Sequence, residues 1–386
     1  MAKQARVYRT ELSPVSFLTR NAYVFPDKTA VVHDQRRYTY RQFEERVNRL
    51  ASGLRRGGLQ KHDRVAFLCP NIPPMLEAHF GVPAAGGILV SINTRLGTDE
   101  IGYILKHSGS KSLFVDAELE SLVKPLDLGG LKVVRVDDTG SPGDPYEDFL
   151  RTGSAASVES WFEDEDETLS INYTSGTTGQ PKGVMYTHRG AYLNAVGEIL
   201  ESGMSWDTKY LWTLPMFHCN GWCFTWGVTA VAGTHICLRK VDPERIWDLF
   251  ETEGITHYNG APTVQTAIVN HPKAHRLARP VTVTVAAAPP SPTLLARLKE
   301  LNLRPVHAVL ELPVGVAALT VDHRRPVGEH RRAPAQEADR GEFGAVGPGV
   351  WGCPPIGQHF RIVSSRPPAS PPGRPGPGPG RARGRR

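Results

Sequence analysis

Near residue 309 the chain changes character, and that break limits what it can fold into. From residue 323 to Arg386 it holds 12 Pro, 12 Gly and 12 Arg, and no Lys. A stretch so poor in aliphatic side chains cannot bury enough apolar surface to offset the entropy lost on ordering. The expected division is therefore a folded part, residues 1–308, and a disordered Pro/Gly/Arg-rich tail, residues 309–386. The last lysine is Lys299; an abrupt switch to Arg, Pro, Gly and Ala is what a GC-rich coding sequence yields when read out of frame. A genuine Arg-rich tail that binds RNA is the competing reading, although aromatic interleaving and RGG repetition are missing from it.

The break also relocates the charge. The net +6 belongs to the tail, because residues 1–322 carry 33 basic and 35 acidic side chains. The body has no electrostatic reason to seek nucleic acid. No run of 18 uncharged apolar residues offers a membrane span. The opening MAKQARVYRTELSPVSF lacks the apolar stretch of a secretory signal. Five cysteines in 386 residues make no disulfide framework, so the expected compartment is a reducing cytoplasm.

Within the body, helical and strand periodicities alternate. Tyr40–Arg56 places Phe43, Val47, Leu50, Ala51 and Leu54 on one helical stripe and stops at Gly57-Gly58. Apolar runs at Arg64–Cys69, Gly87–Ile92, Ser112–Asp116 and Leu131–Val136 read as strands, with helices at Pro74–Ala85 and Asp99–His107 between them. This is an α/β pattern with mostly parallel sheets. Residues 137–168 are polar and turn-rich and read as a linker. Its acidic run Glu163–Glu167 reads as a solvated face, with a metal site as the alternative.

The segment with most chemistry is Leu169–His188. A strand, Leu169–Tyr173, runs into Thr174-Ser175-Gly176-Thr177-Thr178-Gly179-Gln180-Pro181-Lys182-Gly183. Three glycines let backbone N–H groups approach an anion, four hydroxyls add donors, and Lys182 adds a compact positive charge. Together these form a polyphosphate cradle. It is not the mononucleotide P-loop, which needs Gly-Lys-Ser/Thr and an immediate helix; here Pro181 precedes the lysine and strand-like Gly183–Thr187 follows. Further on, Trp212, Trp222, Phe224 and Trp226 are aromatic enough for a ligand wall, with ordinary core the reading for at least two of them. His218, Cys219 and Cys223 lack a second pair at zinc-finger spacing, so no metal site is expected.

Tyr173 to Val184 resembles the signature of the adenylate-forming superfamily, the AMP-binding acyl-CoA synthetases and their relatives. Phe25–Val31, Tyr38-Thr39-Tyr40, Asp63–Ala66, Pro70-Asn71 and Gly86–Leu96 resemble other family elements, and Leu214–Trp222 is most similar to fatty-acyl and small-acid CoA ligases. The resemblance implies the large N-terminal domain of such an enzyme, two α/β subdomains with mostly parallel sheets, and the reaction of a short- or medium-chain carboxylic acid with ATP and CoA. Thr174, Ser175, Gly176, Thr177, Thr178, Gly179 and Lys182 would hold the β- and γ-phosphates. His218 and Trp222 would line the acyl and CoA channel, and Ala287, Ala288 and Pro289 the adenine and acyl pocket. Mg²⁺ is the usual companion of ATP, and a homodimer stays open.

After Ala308 the pattern stops. The family's Tyr-Gly-x-Thr-Glu supplies the adenine stack, the α-phosphate contact and the Mg²⁺ carboxylate, and here the register reads Val309-Leu310-Glu311-Leu312-Pro313. The later ribose motif and the small C-terminal domain with its adenylation lysine have no match. The expectation is a C-terminally truncated synthetase with impaired or absent turnover. The alternative is a non-catalytic nucleotide- or acyl-binding pseudoenzyme module.

Overall fold

The computed structural model describes residues 10–174 and 181–306. All of them fall in the first of two units, Met1–Gly352; the second, Cys353–Arg386, and the whole predicted tail lie outside the described residues. The strands in chain order are β1 (Thr29–His33), β2 (Arg36–Thr39), β3 (Arg64–Leu68), β4 (Ile88–Ser91), β5 (Ser112–Asp116), β6 (Lys132–Val136) and β7 (Thr168–Thr174). They continue with β8 (Lys182–Thr187), β9 (Lys209–Leu211), β10 (Thr234–Ile236), β11 (His257–Gly260), β12 (Val281–Val285) and β13 (Leu303–Val306).

Two sheets result. One has the order β6-β5-β3-β4-β7-β8, the other β13-β12-β11-β9-β10-β1-β2. Every pairing is parallel except the edge pairs β7–β8 and β1–β2. Parallel strands are covered on both faces and read as unbroken apolar runs; in β3, Val65, Ala66, Phe67 and Leu68 are all fully buried. The predicted α/β class with two mostly parallel sheets is the observed one.

The helix Tyr40–Arg56 begins at a capping box in which Thr39 accepts from the Gln42 amide and Gln42 accepts from that of Thr39. Its predicted stripe is buried. One hydrophobic core contains side chains from both sheets, Phe67 and Leu89 from one and Val31 and Tyr210 from the other, joined by Phe43, Leu50 and Phe80 from helices.

Residues 137–168 hold a helix that their polarity conceals. Asp144 accepts from the Tyr146 amide at 3.0 Å, Pro145 opens the first turn, and Pro145–Thr152 follows. Tyr146 and Leu150, four apart, turn to the core. Three of the five carboxylates in the acidic run form ion pairs: Glu163 and Glu167 meet Lys61, and Glu165 meets Arg189.

Candidate functional site

The signature strand forms a hairpin. β7 lies parallel to β4, with Ser91 opposite Asn172, and antiparallel to β8, with Thr174 opposite Lys182. The two described members of the predicted phosphate set are thus brought face to face at the end of the ladder. Lys182 is half-buried and no carboxylate pairs with it among the described residues. An ammonium with no carboxylate partner among the described residues, set opposite a hydroxyl-bearing residue, is suited to an anion. Ser175, Gly176, Thr177, Thr178 and Gly179 lie outside the described residues.

A second segment reaches β7 from the other sheet. Beyond β9 the chain runs through Trp212 to Cys223, held by three asparagines whose anchoring role sequence reasoning missed, although Asn71 was noted within Pro70-Asn71. Asn71 donates to the carbonyls of Trp212 (2.8 Å) and Leu214 (2.9 Å) and accepts from the Met216 amide at 2.7 Å. Asn172 donates to the Phe217 carbonyl at 2.8 Å, and Asn194 to that of Trp222 at 3.3 Å. The only signal in the sequence was a polar residue set among apolar ones near each strand or helix.

His218 follows the Asn172 anchor and is exposed. Although solvent reaches its surface, the protein packed around the ring, then the Arg95 guanidinium, lower its imidazole pKa from the ordinary value; a neutral ring can accept as well as donate. Five consecutive residues after it are left-handed, with φ of 50° at Cys219, 55° at Asn220, 60° at Gly221, 53° at Trp222 and 64° at Cys223. At Gly221 an added Cβ would stand 2.6 Å from the Trp212 ring, so the turn closes tightly on that indole. Trp212 in turn donates to His235 Nδ1 at 3.1 Å. Of the four aromatics, Trp212, Phe224 and Trp226 are plain core and Trp222 is half-buried.

The third set follows β12. Ala287, Ala288 and Pro289 are exposed in the turn that leaves β12, and Ala287 has φ 82°. No hydrogen bond among the described residues joins them to Thr174, Lys182 or His218. Thr213 links the His218 segment only as far as the neighbouring strand, donating to the Asn259 carbonyl. A cavity of about 210 Å³ at the ends of β1 and β10 contains none of the predicted residues. The Tyr-Gly-x-Thr-Glu register at Val309–Pro313 lies outside the described residues. Among the described residues, no three or more His, Cys, Asp or Glu side chains group as a metal site.

A family profile described as AMP-binding enzyme matches residues 18–312. The chain is 41% identical over 304 residues to 4-hydroxybutyrate–CoA ligase 2 of Metallosphaera sedula, covering 75% of this chain and 55% of that protein. It is 39% identical over 322 residues to the peroxisomal acetate/butyrate–CoA ligase AAE7 of Arabidopsis thaliana, with coverage of 77% and 57%. The chain thus spans about half the length of the curated relatives it matches. Among solved structures, the N-terminal domain of FACL13 from Mycobacterium tuberculosis superposes with a TM-score of 0.70 at 24% identity, over 76% of this chain and 74% of that one. A fatty acyl CoA synthetase from the same organism gives 0.69 at 26%, over 76% and 58%. With the profile spanning most of the chain and the two-sheet fold agreeing, the chain belongs to the AMP-binding enzyme family and has the large N-terminal domain fold of its CoA ligases.

Proposed function

We propose that this chain carries the nucleotide- and acid-binding part of an ATP-dependent acyl-CoA synthetase. In that reaction a carboxylate attacks the α-phosphorus of ATP, giving an acyl adenylate and pyrophosphate; the CoA thiol then displaces AMP. The observation that carries the reading is the hairpin that sets Lys182, unpaired among the described residues, against Thr174 at the end of β7. A fixed cation there stabilises the negative charge gathering on the leaving pyrophosphate. Ser175, Gly176, Thr177, Thr178 and Gly179 complete the proposed phosphate cradle. His218 and Trp222 form the proposed acyl and CoA wall, and Ala287, Ala288 and Pro289 the adenine pocket.

Short and medium aliphatic acids are the proposed substrates, which the names of the 4-hydroxybutyrate and acetate/butyrate relatives support. The proposed setting is fatty acid metabolism in the cytoplasm. No helix among the described residues is long and apolar enough to cross a membrane.

Binding and turnover separate in this reading. Calorimetry on the full chain is expected to show ATP binding that weakens by about tenfold or more in Lys182→Ala, the effect of removing one charged contact. Pyrophosphate release with butyrate or hexanoate is expected to be slight, because Val309–Pro313 stands where the family resemblance places the metal carboxylate and adenine stack. Equal ATP affinity in wild type and Lys182→Ala would end the assignment of the cradle. Turnover matching an intact relative would end the claim of impairment.

A further inference from the structure

We propose that Asn172 is a positioning residue that ties the strand bearing the phosphate-binding residues to the segment bearing His218. The inference rests on the synthetase reading and adds the part that joins its two half-sites. Residues two apart on a strand share a face, so Ser170, Asn172 and Thr174 stand on one side of β7. Thr174 faces Lys182 across the hairpin. The two residues that precede it on that face both reach the other segment: Asn172 donates to the Phe217 carbonyl at 2.8 Å, and Ser170 accepts from Asn220 Nδ2 at 2.8 Å. His218 and Cys219 are the two residues held between those anchors.

Two further observations point the same way. The left-handed run begins inside the anchored span, at Cys219. Such backbone is unfavourable for residues with side chains and persists only where the surroundings impose it. Second, Asn172 is 4% exposed, and its side-chain oxygen is buried without a hydrogen-bond partner among the described residues. A leucine of similar shape would spare the desolvation of that oxygen. What an amide offers here, and leucine does not, is the donor aimed at Phe217.

The test uses the full chain with Asn172→Asp, which keeps the shape and loses the donor, and Asn172→Leu, which keeps the packing should the aspartate variant fold poorly. The first readout is the rate of N-ethylmaleimide labelling at Cys219, followed by peptide mass mapping, with buried Cys69 and Cys237, both outside the left-handed run, as internal controls. The second is calorimetric affinity for ATP and for a non-hydrolysable acyl-adenylate mimic. Both variants are expected to label Cys219 about tenfold faster, as loss of one anchoring hydrogen bond implies, while the two controls stay slow. The mimic weakens by a similar factor and ATP by less than about twofold. Unchanged labelling of Cys219 overturns the proposal, as does equal acceleration at all three cysteines, which marks a general structural role. If the wild-type chain binds neither ATP nor the mimic, the synthetase reading fails, and the labelling still decides the role of Asn172 as an anchor.

Discussion

Ala287 is a small residue in the turn after β12, which the family resemblance placed in a proposed pocket; its left-handed φ of 82° was not legible in the sequence. Whether an alanine turns left-handed depends on where β12 ends and how the chain must re-enter the helix Pro292–Glu300, and periodicity does not report that. A Cβ at this φ costs about 1 kcal/mol, which glycine avoids. Ala287→Gly is therefore expected to stabilise the fold by up to about 1 kcal/mol, the glycine entropy in the unfolded chain offsetting part of the gain. Urea unfolding midpoints measure it, and a loss of stability would show that the alanine methyl makes contacts worth more than the strain. The asparagines illustrate the same limit. Asn71, Asn172 and Asn194 are remote in sequence from the carbonyls they hold, so only the assembled chain reveals them.

Elements fared better than residues where their pattern was strong. The stripe on Tyr40–Arg56, the apolar runs of β3 and β5 and the two strands that flank the signature all stand where the sequence put them, because burial on one helical face or on both sheet faces leaves a mark in the sequence; the antiparallel pairing of those two flanking strands was not foreseen. The helix Pro145–Thr152 left a weaker one, being short and held partly by charge. Arg46 of the preceding long helix reaches Glu77 at 2.6 Å and Glu147 at 2.6 Å, and Tyr146 donates to Glu77 at 2.7 Å. Three helices thus meet at one guanidinium, with Glu77 1% exposed. Removing the cation leaves Glu77 buried and unpaired, which costs about 3–5 kcal/mol. Arg46→Met is expected to lose that much in denaturant titrations, with Arg46→Lys recovering part of it. A loss below about 1 kcal/mol would mean that the network is surface decoration and that Pro145–Thr152 docks through Tyr146 and Leu150 alone.

At the scale of the whole molecule, the two sheets must keep their strand ends in register with each other, since the proposed half-sites lie one on each. Beyond the shared core, a charged seam joins them. Asp138, which follows β6, accepts from His33 at 2.9 Å and Arg36 at 2.6 Å, both of the other sheet, and from Arg239 at 3.2 Å. Arg239, which follows β10, also holds Asp116 at the end of β5 at 2.6 Å. These partners are 101 to 123 residues apart in sequence, which is why nothing in the sequence announced the seam. Burial alone would raise the pKa of Asp138; the His33 hydrogen bond and charge, then those of Arg36, outweigh it and hold the carboxyl below its ordinary value. For a depressed carboxyl the stabilisation is complete above the unfolded pKa, near 4, and is lost as pH falls through the folded value. Asp138→Asn keeps the shape and tolerates the left-handed φ of 57° at this position, but removes the charge that Arg36 and Arg239 share. Loss of a charged acceptor from such a network costs about 1–3 kcal/mol at pH 7. The gap between wild type and Asp138→Asn should shrink toward zero as the pH is lowered through 4 to 2. A gap that stayed constant with pH would assign the loss to packing, and the sheets would then be held together by their apolar core without help from the seam.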